Sequence, residues 1–63
     1  MNTDSLSAHE QMLLLSIAAG HKAAGKEMRA WTVEHAILAT QYSEPGEKTE
    51  RALKHARLII SIN

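Results

Sequence analysis

The sequence predicts an all-α protein, with two or three helices forming a helical-bundle homodimer. Three observations carry that expectation. Leu14, Ile17, His21, Ala24, Met28, Trp31, His35, Leu38 and Tyr42 recur at alternating steps of three and four residues, the spacing that gathers side chains on one face of a helix. Ser43-Glu44-Pro45-Gly46 interrupts that pattern, and helical character resumes beyond it. The chain has only 63 residues, and a domain of that size buries only about 60% of the surface its unfolded form exposes. The helices are expected at about 8–24, 26–42 and 45–62, the first two separate or fused into one kinked helix. All belong to a single small domain, 1–63.

Residues 1–6 are mostly polar and aperiodic, and are expected to fray. Ser7 followed by Glu10 fits a capping box, in which the hydroxyl takes the third helical amide and the carboxylate reaches back. The first helix should therefore start near Ala8. Met12, Leu13, Leu14 and Leu15 are consecutive, so they point all round the helix, and a helix apolar on every side is covered on every side. In so short a chain, part of that cover is expected from a second subunit.

Gly20 and Gly25 admit two readings. The heptad phase runs unbroken through both, which favours a continuous helix of about 50 Å over residues 8–42. Mid-helix glycine costs about 1 kcal/mol against alanine, whereas a glycine just past a helix end adopts left-handed geometry freely. The second consideration places the break at Gly25. Ala19, Gly20, Ala23 and Ala24 also offer a small-residue face for close backbone approach.

From Lys26 to Tyr42 the seam continues through Met28, Trp31, His35 and Leu38, with Val33 and Ile37 widening it. Trp31 is read as the principal core residue, its alternative being an interface anchor. Pro45 suits the first turn of the next helix and disfavours helix at Glu44. In the last helix Glu44–Lys48, Glu47–Arg51 and Glu50–Lys54 are acid-to-base pairs in the favourable i,i+4 order, each contributing about 0.2–0.5 kcal/mol. Leu53, Ala56 and Ile60 form its inner stripe, while Leu58, Ile59 and Ile62 extend the apolar surface. The expected self-association seam comprises Leu14, Ile17, His21, Ala24, Met28, Trp31 and Leu38.

Composition narrows the function classes. Cysteine is absent, so disulfides and thiolate metal sites are excluded. Seven acids balance seven bases, so no overall field draws the chain to nucleic acid or to an anionic membrane. The run from Met12 to Ala19 is far short of the roughly 20 residues of a bilayer span, and the N-terminus does not read as a signal peptide. A cytoplasmic address is expected.

His9, His21, His35 and His55 lack the spacing of a metal motif, so no metal is expected. On the seam, His21 and His35 are candidates for register or pH-sensitive association. Ser16, Ser43 and Ser61 lie in no nucleophile elbow, and no phosphate loop is present. A bundle this small offers no ready ligand-sized cavity. No catalytic residue, cofactor or enzymatic activity is expected. Lys22, Lys26 and Arg29, at i, i+4 and i+7, are the candidate contacts for phosphate or a partner, and would be doubled in a dimer.

The Ser7-Ala8-His9-Glu10 start, the leucine-rich helix and the length of sixty-three codons resemble the small helical accessory proteins that lambdoid bacteriophages encode in their exo–xis region. That resemblance implies a non-enzymatic regulatory or host-modulating protein, acting through contacts with a host protein. A small dimeric nucleic-acid-binding regulator is the competing class.

Overall fold

Local capping decides where the first helix begins and ends. In the computed structural model, which describes residues 5–42 and 46–62, α1 spans Ala8–Ala23. The Ser7 hydroxyl accepts from the Glu10 amide at 3.1 Å, and the Ser7 amide donates back to Glu10 Oε1 at 3.1 Å. The expected capping box is formed. Just outside it, Leu6 is buried in the core, although the aperiodic composition of the N-terminus had placed it in a frayed segment.

The other end of α1 is closed by a Schellman arrangement. Gly25 N–H donates to the Lys22 carbonyl at 3.1 Å and Lys26 N–H to the His21 carbonyl at 2.7 Å, with Gly25 at φ 77°. These bonds satisfy carbonyls that a helix end leaves open, and they need a left-handed residue at that position. The helix thus passes through Gly20 and breaks at Gly25, and the alternative of one long kinked helix is set aside. The second helix, α2, covers Glu27–Tyr42, and the third, α3, covers Glu47–Ile62. Ser43 to Pro45, with the expected stop and the Glu44–Lys48 pair, lie outside the described residues.

The short turn makes α1 and α2 an antiparallel hairpin, tied at its far end by Gln41 Nε2 donating to Gln11 Oε1 at 2.7 Å. On one side of it packs α3, where Arg57 Nε donates to Glu10 Oε2 at 3.0 Å. The result is a three-helix bundle of 34 × 19 × 18 Å.

The core consists of Leu6, Leu14, Ala18, Ala30, Val33, Ala36, Ile37, Leu53 and Ala56. Four of these nine are alanine, so the helices can approach closely but hide little side-chain area. Thr40 is buried beside them and satisfies its hydroxyl on the Ile37 carbonyl at 2.9 Å. In α3 the inner stripe is as the spacing predicts, with Leu53 and Ala56 buried and Ile60 packed against the core. Of its expected pairs, Arg51–Glu47 closes at 2.9 Å on the exposed face.

The long stripe from Leu14 to Tyr42 does not stay on one face. Leu14 is fully enclosed and Ile17 packs on the core, whereas Met28, Trp31, Leu38 and Tyr42 are exposed. The helical phase is lost at Gly25, and α2 restarts with a different set inward: Ala30, Val33, Ala36, Ile37 and Thr40. Trp31, read from sequence as the main core residue, is therefore corrected to a surface residue, 58% exposed. Alanines allow the closer helix contact, and that contact turns the indole outward.

Candidate functional site

Successive residues of an α-helix are about 100° apart, so the two interhelical side-chain contacts fix which way each face looks. On α1, Glu10 points to α3 and Gln11 to α2. Continuing round α1 past Gln11, away from Glu10, come Leu15, Ala19 and Met12. They lie on the side of the hairpin that α3 does not cover. On α2, Gln41 points to α1, while Arg29 and Val33 line a groove shared with α3. Beyond Gln41, away from that groove, come Leu38, Trp31 and Tyr42, with His35 and Met28 at the outer rim.

The hairpin is therefore a two-sided layer. One side is covered by α3 and the other is bare and apolar. Met12 is 68% exposed, Leu15 54%, Trp31 58%, Leu38 53%, Tyr42 80% and Met28 75%. Antiparallel counting from the Gln11–Gln41 contact sets Leu15 level with residues 37 and 38. The patch thus crosses both helices. Trp31 and His35 stack at its outer side, ring centroids 5.1 Å apart and 12° from parallel, a contact that restrains the indole.

Charge runs along the middle of this face. By the same turning Lys22 falls between Gln11 and Leu15 on α1, and Glu34 and Glu27 fall between Gln41 and Leu38 on α2. All three are exposed beside the junction of the two helices. Among the sequence-derived contact candidates, Lys22 ends up on α1, Lys26 in the turn and Arg29 on α2, all exposed at the turn end of the bundle. Ala24 caps α1 and is exposed, and His21 is half-buried.

Of the four histidines none gathers with acidic residues into a metal-binding group among the described residues. Open grooves do exist between the helices. One, of about 350 Å³, includes His21, Arg29 and His55 on its wall, which corrects the expectation that so small a bundle offers no ligand-sized space. No described helix is long and apolar enough to cross a membrane. No protein-family model matches the chain, and no curated protein or solved structure matches it.

Proposed function

We propose that this chain is a non-enzymatic regulatory protein that works by protein–protein contact, and that its first partner is a second copy of itself. The observation that supports this is the bare hairpin face. With about 150–250 Å² for a large side chain, the exposures of its six apolar residues amount to roughly 700 Å² per copy. A specific interface takes about 800 Å² from each partner. A patch above about 300–600 Å² on a lone soluble chain marks an interaction surface.

The charges along the middle of the face select the orientation. A two-fold axis parallel to the helices lays α1 on the partner's α2, which brings Lys22 toward the partner's Glu27 and the partner's Glu34, and the reverse. The other face-to-face two-fold lays α1 on α1 in antiparallel fashion, which parts Lys22 from the partner's Glu27 and brings Glu34 toward the partner's Glu34. Electrostatic complementarity favours the first. The product is a four-helix core with each α3 outside, leaving Leu58 exposed for a heterologous protein, the host factor of a phage-type regulator.

Sedimentation equilibrium tests the proposal. At micromolar concentration the expected mass is twice 6.9 kDa, and Leu15→Glu or Leu38→Glu should give a monomer whose helical circular dichroism is retained. A wild-type monomer, or variants that still dimerise, would overturn it. The competing reading, a nucleic-acid-binding dimer, rests on the exposure of Lys22, Lys26 and Arg29 at one end of the bundle. It predicts a salt-dependent shift of generic duplex DNA or RNA that disappears when all three are neutralised.

A further inference from the structure

The covered side of the hairpin carries a separate feature. Towards the turn end of the bundle α3 does not close over α1 and α2, and the gap between them is an open groove of about 350 Å³. That is at the lower end of the roughly 300–1,000 Å³ of ligand pockets. Its apolar wall is Val33 from α2 with Ile59 and Ile62 from α3, and its polar wall is Arg29 with His21 and His55. No acidic residue lines it among the described residues.

Arg29 stands apart from the other arginines. Arg51 is paired with Glu47 and Arg57 with Glu10, whereas Arg29 has no ion-pair partner among the described residues. A guanidinium presents a planar fork of donors matched to a carboxylate. Here the fork borders branched aliphatic side chains, so the groove offers one anionic position beside an apolar trough. The neighbouring groove on the other side of His21, lined by Leu13, Ser16, Ile17, Gly20 and Ile60, has no arginine.

We propose that the Arg29 groove binds a small aliphatic carboxylate. The alkyl chain lies on Val33, Ile59 and Ile62, and the carboxylate pairs with Arg29, with the His21 and His55 rings as further hydrogen-bond donors. The groove lies away from the bare hairpin face, so this inference is independent of the homodimer.

Octanoate is the probe, titrated into the full-length protein and followed by ¹H–¹⁵N chemical shifts. For a ligand this small in an open groove, the expected dissociation constant is on the order of 1 mM. The saturable shifts should centre on Arg29, Val33, His55 and Ile59. Acetate, which lacks the tail, and hexan-1-ol, which lacks the charge, should each bind at least tenfold more weakly. Arg29→Gln, an exposed substitution that leaves the fold intact, should weaken octanoate at least fivefold, and Ile62→Ser should weaken it as well. The proposal is overturned if octanoate produces no saturable shift, or if Arg29→Gln binds it unchanged. It is equally overturned if the shifts centre on Trp31 and Leu38, which would mean that the amphiphile coats the bare face.

Discussion

Gly25 and Gly20 show how the same residue type has opposite consequences a few positions apart. At Gly25 the backbone is at φ +77° and nothing lies within 4 Å of where a Cβ would be. A side chain there meets no clash with the rest of the fold, only the intrinsic penalty of left-handed geometry. Gly25→Ala should therefore lower stability by about 1 kcal/mol in urea denaturation. Gly20 is in the body of α1, also with open space around it, so Gly20→Ala should raise stability by about 1 kcal/mol. A stabilising Gly25→Ala would mean that the helix runs on through the turn. Glu10 is the other residue with more than one duty. The Arg57 guanidinium first, and then the Ser7 amide, hold its carboxyl below the ordinary value of 4.5. A carboxyl with a lowered folded pKa stabilises fully above the unfolded value and loses that effect as pH falls through the folded one. The pair is partly exposed, which limits the effect to about 1 kcal/mol. The stability difference between wild type and Glu10→Gln should accordingly be present at neutral pH and vanish in acid, below the folded pKa. A difference that persists there would assign the effect to packing.

At the level of the element, α2 is the unusual helix because it is apolar on two opposite sides. Ala30, Val33, Ala36 and Ile37 face inward, and Met28, Trp31, Leu38 and Tyr42 face out. Both sets satisfy helical periodicity, so periodicity alone could not say which one the fold would cover. Residue size pointed the wrong way, since the larger set, Trp31 included, looked like the core. What decides is tertiary: alanines permit the closest approach to α1 and α3, and the bulky set is left on the far side. Leu14 and Leu15 make the same point, being adjacent in sequence yet divided between the sealed core and the bare face. Features governed by near neighbours were legible. The Ser7–Glu10 box, the break at Gly25 and the Leu53–Ala56–Ile60 stripe each depend on residues within a turn or two. The groove at Arg29 was not legible, because its wall comes from three helices and its volume from how far α3 stops short of closing over the other two.

For the whole molecule, the proposed pairing through the large outer side chains would link folding to association. The alanine-rich core leaves a lone copy little buried area, and a domain of this size rarely gains more than about 3–5 kcal/mol from its core. If the second copy covers the hairpin face, it binds only the folded chain, and mass action then raises the apparent stability with protein concentration. The net charge of zero adds no long-range repulsion between copies. Unfolding a dimer of this length carries an entropy for which each tenfold rise in concentration should lift Tm by roughly 5 °C. Thermal melts followed by circular dichroism over a hundredfold range of concentration measure this directly. Leu38→Glu, which leaves the inner face of α2 untouched, should melt lower than wild type and at the same temperature whatever its concentration. A wild-type Tm that does not move with concentration would show that the folded state of one copy already accounts for the whole stability, and the linkage between folding and pairing would be lost with it.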